Sequence, residues 1–181
     1  DKFQIGDGYR SLFLSDFGAN YTFLKLHTRF GRFNYQNLFM ELTPQYFRGA
    51  DRLLPRKYAT MHHLSINVAR WLNLGLFESI IYGRKVHFDI RYMNPIILYR
   101  SVEQTNGSPD NALLVFNFKA NTGIGAVLYG QLLFDEFSFS KLKANTGWWA
   151  NKYGVQLGIK MADMFGIKNL LVQAEFHMVT P

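Results

Sequence analysis

At residues 65–83 the chain reads "SINVARWLN" and then "LGLFESIIYG", two alternating runs meeting at a tight corner. Leu64, Ile66 and Val68 share one face while His63, Ser65 and Asn67 share the other, because successive side chains of a strand point to opposite sides. The same period recurs along the chain. Tyr153, Val155, Leu157, Ile159 and Met161 oppose Gly154, Gln156, Gly158 and Lys160. Leu170, Val172, Ala174, Phe176 and Met178 oppose Asn169, Gln173, Glu175 and His177, with Leu171 out of step. A row from Ile124 to Phe134, another over 112–119, and Leu24, Leu26 and Phe30 against Lys25, His27 and Arg29 complete the pattern. The runs at 33–42 and 74–82 alternate less cleanly. Which face meets water decides the fold class. A soluble sheet buries its apolar face, whereas a membrane barrel turns it to lipid.

The pattern predicts about eight strands of roughly 9–11 residues, the length a tilted strand needs to cross a bilayer. Short corners are expected near Gly31-Arg32, Trp71–Asn73, Asn121–Gly123 and Asp163–Lys168. Long connections fill 43–59, 83–110 and 135–152. Short and long alternate strictly, so the short turns gather at one end of the sheet and the long loops at the other. Outer-membrane barrels have this asymmetry. A lipocalin-like soluble barrel would also alternate, but its outward rows should be rich in Lys and Glu. Here the polar rows are thin, and the apolar rows carry Tyr21, Phe30, Phe118, Phe134 and Tyr153 near strand ends, where an interfacial girdle lies. The apolar face, including Leu64, Ile66 and Val68, is therefore expected to face lipid.

Composition agrees. Charged residues are 18% of the 181 and aromatics 17%, against about 25% charged in an average soluble protein. The net charge of +7 points to an acidic partner: nucleic acid, anionic lipid or an acidic polysaccharide. No apolar run approaches the ~18 residues of a membrane-spanning helix. The absence of cysteine excludes disulfides and thiolate metal sites within these residues. The chain begins and ends inside structured-looking sequence, and both ends read as cuts within a longer precursor.

Few motifs carry chemistry. Gly6-Asp7-Gly8 resembles a phosphate loop superficially, but no helix follows it, so a tight turn is expected, with Asp7 and Arg10 available for a salt bridge or ligand. Asn94-Pro95 reads as the N-cap and first turn of a short helix running through Tyr99 and Arg100. Thr43-Pro44 is a similar start. Such helices either fold into the barrel or lie on its surface. His62 and His63 are adjacent, so they diverge, as do Asp135 and Glu136. No catalytic set emerges, and no enzyme, metal site or cofactor is expected. Arg10, Arg91 and Arg100 are expected on the long-loop side beside Asp7 and Glu103, as a charged network. Trp148-Trp149, with Lys141, Lys143 and Lys152 nearby, reads either as a sugar-stacking platform or as a membrane-interface anchor.

The segments "FQIGDGYRSLFLSDFGAN", "YMNPIILYRSVEQ" with "SPDNALL", and "LYGQLLFDEF" resemble the Wzi-type capsule-assembly outer-membrane proteins. The likeness is to the Bacteroidota branch, some of whose members are linked to gliding motility, and it runs from Phe3 to about Phe176. It implies a large outer-membrane barrel, with helical elements plugging or flanking it, that holds surface polysaccharide at the cell without catalysis. The family's barrel has more strands than can be counted here, and its N-terminal helical part is missing.

The expectation is thus an all-β chain, residues 1–181 forming one antiparallel transmembrane β-barrel or the central segment of a larger one, with short helices in long loops. Candidate polysaccharide-binding residues are Asp7, Tyr9, Arg10, Arg91, Tyr99, Arg100, Lys141, Lys143, Trp148 and Trp149. The expected partners are acidic surface polysaccharide and outer-membrane lipid, together with other envelope proteins if the chain serves a motility or secretion machine; nucleic acid is not expected. A transport pore, with Lys25, Arg29, Gln156 and Lys160 setting anion selectivity, is the other alternative.

Overall fold

A computed structural model describes residues 1–42, 56–84, 89–95, 111–135 and 152–180. Eight strands follow one another: β1 (Thr22–Phe30), β2 (Phe33–Leu42), β3 (Arg56–Asn67), β4 (Leu72–Arg84), β5 (Asn111–Asn121), β6 (Ala126–Asp135), β7 (Lys152–Ala162) and β8 (Leu171–Val179). They form a single antiparallel sheet in chain order. β1 and β8 are its edges and do not pair with each other, so the sheet is open. Because neighbours are antiparallel and consecutive, the four short connections share one end of the sheet. The first is a two-residue hairpin whose Gly31 has φ +55°, the positive value that such a turn requires. The second lies at 68–71, slightly before the expected Trp71–Asn73 corner, since β4 already begins at Leu72. The last contains a short 3-10 turn, Met164–Gly166.

The register sorts side chains into rungs that cross the sheet. One outward rung reads Phe30, Phe33, Ile66, Leu74, Phe118, Gly130, Leu157 and Phe176. On the other face a rung reads Arg29, Asn34, Ser65, Gly75, Asn117, Gln131, Gln156 and His177. The two faces are covered unequally. Residues 1–21 lie as a strap across the inward face. Ile5 and Phe13 sink into a core with Leu38, Met40, Ala59, Met61, Phe77 and Val115, and the Phe13 ring stacks on Phe77 with centroids 4.9 Å apart. The strap doubles back on itself. The Ile5 amide donates to the Leu14 carbonyl at 3.0 Å, and the Ser11 hydroxyl donates to the Ile5 carbonyl. Gly6, at φ +125°, passes so close to Gln131 and Ser11 that a Cβ would overlap both.

The strap's two ends close on one another. Tyr21 accepts from the Phe3 amide at 2.9 Å and its hydroxyl lies 3.1 Å from the Phe3 carbonyl. Burial pushes the Tyr21 phenol up, against the opposing effect of the Phe3 amide, and nearby Asp16 adds to the rise. The phenol therefore stays protonated and can donate at any ordinary pH. Tyr21 thus packs inward on Phe3 and Phe23, not in the outward aromatic girdle expected of it; the need to fasten the strap outweighs its place at a strand end.

Residues 37–40, 58–63 and 77–80 of β2, β3 and β4 are buried on both faces. Outward, Tyr58, Ile80 and Tyr82 form a second core with Tyr92, which comes from a 3-10 turn, Ile90–Met93, in the β4–β5 connection. That is why 33–42 and 74–82 alternate poorly: where both faces are buried, burial no longer separates an apolar row from a polar one. Asp89 caps this turn through its side chain, and Asn94 follows its end in an extended conformation. Asn94 therefore ends one short turn, and the helix expected through Tyr99 and Arg100 lies outside the described residues, as does Thr43-Pro44.

Truncating Phe13 to Ala removes the strap's largest core contact and should cost about 3–5 kcal/mol. Reversible denaturant unfolding of the two proteins side by side measures it. A loss near zero would mean that the strap adds nothing to the core.

Candidate functional site

Between the strap and the short-turn half of β5–β8 lies a polar layer. Its centre is Glu175. One carboxylate oxygen accepts from the Tyr9 amide at 2.6 Å, from the Tyr129 hydroxyl at 2.5 Å and from the Gln173 amide at 2.6 Å. The other lies 3.1 Å from His177 Nε2. Gln131 accepts from the Leu12 amide at 2.9 Å, and its own amide donates to the Ser11 hydroxyl at 3.1 Å. Gln156 donates to the Arg10 carbonyl at 2.9 Å. Lys160 donates to the Asp7 carbonyl at 2.6 Å, and Lys119 pairs with the Asp7 carboxylate at 2.6 Å. Strand alternation produces this convergence: Lys119, Tyr129, Gly158 and Glu175 share one inward rung, and Lys160 and Gln173 share the next. Gly158 leaves room for the Tyr129 ring, which occupies the place of a side chain there.

Above the layer opens a cleft of about 650 Å³, with Gln4, Asp7, Tyr9, Asp16, Phe17 and Lys160 among its lining. The exposed rings of Tyr9 and Phe17 meet edge to face, 5.3 Å between centroids. The Arg10 guanidinium lies 4.5 Å over the Phe17 ring. The cleft is lined by aromatic rings and by side chains of both charges. Glu175 has its oxygens filled by donors and works as a fastening.

Of the expected site residues, Asp7, Tyr9 and Arg10 come together here, but they do not sit among the long loops. Lys119 and Lys160, the partners of Asp7, are close to the short turns. Asp7 does not pair with Arg10, because the Gly6–Gly8 turn aims its carboxylate at Lys119. Arg91 is elsewhere. It pairs with Asp89 at 2.9 Å beside Tyr92, on the opposite face of the sheet from Arg10, so these two arginines do not form the expected network. Tyr99, Arg100, Glu103, Lys141, Lys143, Trp148 and Trp149 lie outside the described residues. His62 and His63 diverge: His62 packs against Tyr35 outward, and His63 approaches Asn117 at 3.3 Å inward. Of the residues considered for a pore, Gln156 and Lys160 hold the strap, and Lys25 sits 3.7 Å over the Phe3 ring. Glu175, Tyr129, Gln131 and Phe17 were not expected in a site. The signal for the first was its inward parity with Gln173 and His177; what those rows hold depends on where the strap falls.

Changing Glu175 to Ala should free the Tyr9 amide. A hydrogen bond to a charged group is worth about 1.5–3 kcal/mol, so exchange of that amide should quicken by roughly tenfold to a hundredfold. Asp7→Asn breaks only a partly exposed ion pair and should change it less. Hydrogen exchange at Tyr9 reads both. An unchanged rate in Glu175→Ala would show that the strap is held from elsewhere.

No family model, no curated protein and no solved structure matches this chain.

Proposed function

We propose that the chain forms part of the wall of a bacterial outer-membrane β-barrel that holds acidic surface polysaccharide at the cell, without performing chemistry on it. The observation that carries the membrane half is the inversion of the two faces. Gln156 is 0% exposed while its neighbour Leu157 is 50% exposed, and the outward rungs of β5–β8 continue that row with Phe116, Leu128, Leu132 and Phe176. A soluble sheet would bury the leucines and leave the glutamines wet. Lipid in place of water removes the penalty, and the gathered short turns then lie on the periplasmic side.

Two physical arguments favour a barrel larger than this sheet alone. The side chains of an eight-stranded barrel already fill its interior, whereas here the inward face also carries the whole strap. The free ladder groups of β1 and β8 must be paired in a bilayer, because lipid offers them no hydrogen bonds. Further strands beside β1 and β8 meet both demands. For the ligand, support comes from the net charge of +7, the aromatic and polar cleft at Tyr9 and Phe17, and the likeness to Wzi-type capsule-assembly proteins.

Placing Arg at Ile159, an outward position, should cost about 2–4 kcal/mol if it lies near the bilayer midplane. Folding titrations into lipid vesicles measure this, and a negligible cost would remove lipid from that face. The glycan is tested separately, with a purified acidic polysaccharide across a salt series. Lys141→Ser with Lys143→Ser should weaken binding mainly at low salt, since screening acts over roughly 8 Å at physiological ionic strength. Trp148→Ala with Trp149→Ala should weaken it at every salt concentration. Binding unaffected by both, with the barrel still inserted, would take the ligand away from the 136–151 connection.

A further inference from the structure

The positive charge is unevenly spread along the chain. No Asp or Glu occurs in 17–40 or in 52–77, the stretches that supply β1, nearly all of β2, β3 and the start of β4. The fold brings two cations of these stretches together at the short-turn end. Arg32 sits in the β1–β2 turn and Arg70 in the β3–β4 turn, and the two turns are stitched to each other. The Asn67 amide donates to the Arg32 carbonyl at 3.0 Å, and the Arg32 guanidinium donates to the Val68 carbonyl at 3.5 Å. Ala69 and Leu72 exchange backbone hydrogen bonds of 3.2 and 3.3 Å, which puts Arg70 and Trp71 at the tip of their hairpin. Both arginines are exposed, and among the described residues neither pairs with a carboxylate.

The same corner is rimmed with apolar side chains. Phe30 and Phe33 are register partners on the last outward rung before their turn, and both are exposed, Phe30 at 78%. Val68 and Trp71 are exposed at the next hairpin. Arg32 and Arg70 therefore lie just beyond the apolar edge of the wall. At that height hydrocarbon gives way to headgroups, and aromatic rings and cations gather. The other two turns differ. Residues 122–125 carry no charge, and in the last turn Lys168 is accompanied by Asp163.

We infer that the corner made by the β1–β2 and β3–β4 turns is a binding site for anionic phospholipid, its phosphodiester held by Arg32 and Arg70 and its acyl chains resting against Phe30 and Phe33. The inference rests on the membrane reading above and names a lipid class for one corner of that wall. A guanidinium suits the task, because its planar fork donates to two phosphate oxygens at once. An acidic protein or glycan would answer the charge alone. The phenylalanines on the adjoining rung favour a ligand that is anionic at one end and apolar at the other.

Trp71 is itself the reporter. Trp148→Phe with Trp149→Phe leaves it as the one tryptophan of these 181 residues. The protein is inserted in vesicles of phosphatidylcholine and phosphatidylglycerol mixed in one fixed ratio, with brominated chains carried by either the first lipid or the second. Per brominated molecule, phosphatidylglycerol should quench Trp71 more. The expected enrichment is roughly fivefold at low salt, the factor due to one well-placed cation near anionic lipid. It should shrink as salt rises and vanish in Arg32→Gln with Arg70→Gln. Equal quenching by both lipids, or an enrichment that survives the two substitutions, would overturn the site while leaving the membrane wall standing. So would an unquenched Trp71 when Leu157→Trp, made together with Trp71→Phe, is quenched; the corner would then face water or a protein. No quenching in Leu157→Trp either would defeat the membrane reading itself.

Discussion

Three consecutive residues of the strap, Arg10, Ser11 and Leu12, are held to the middle of the sheet by the side-chain amides of Gln131 and Gln156. Much of the molecule depends on this contact. A strand hydrogen-bonds through its backbone only within the sheet plane, so the sheet can hold an extended segment across its face only through side chains. Buried glutamines do this well, since each offers both donor and acceptor groups. Once residues 10–12 are fixed, Phe13 is delivered onto Phe77 and Ile5 onto the same core, while Tyr9 is presented to Glu175. Apolar packing at the long-loop half and polar fastening at the short-turn half are consequences of one placement.

The polar layer also explains why the inward face is neither a water-filled channel lining nor an ordinary core. Asn117, Gln131, Gln156 and His177 share a rung, yet Gln131 and Gln156 are buried as deeply as the aliphatic core. A polar group buried without a partner costs about 1–3 kcal/mol, so such a rung is stable only beneath something that answers its hydrogen bonds. The strap's main chain answers Gln131 through the Leu12 amide and the Gln156 amide through the Arg10 carbonyl, while the Gln156 carbonyl oxygen stays buried without a partner among the described residues. On the outward side Tyr92 covers Tyr58, Ile80 and Tyr82, towards the long-loop end of β3 and β4.

The number of strands, their antiparallel order and the gathering of short turns were all legible in the residues, because period two and glycine-marked corners are local signals. So was the division of Gln156, Lys160, Gln173 and Glu175 from Leu157, Ile159, Val172 and Ala174. The site was legible only in part. Asp7, Tyr9 and Arg10 do meet in a cleft, but near the short turns, and Asp7 finds Lys119 across more than a hundred residues. Arg91 has the same charge as Arg10 and lies on the other face of the sheet. Nothing local distinguishes these fates.

What the sequence by itself determined is the sheet: alternation fixes which side chains share a face, and loop lengths fix which ends of the strands come together. What only the tertiary structure decided is what covers each face. Tyr21 and Tyr92 look, in sequence, like aromatic girdle and loop residues. In the fold, one fastens the inner strap to Phe3 and the other anchors the outer segment against Tyr82. The physical reason is that a strand's side-chain parity is set by its own backbone, residue by residue. The cover over a face is chosen by segments distant in sequence, according to the shape and unanswered hydrogen bonds that the assembled sheet presents.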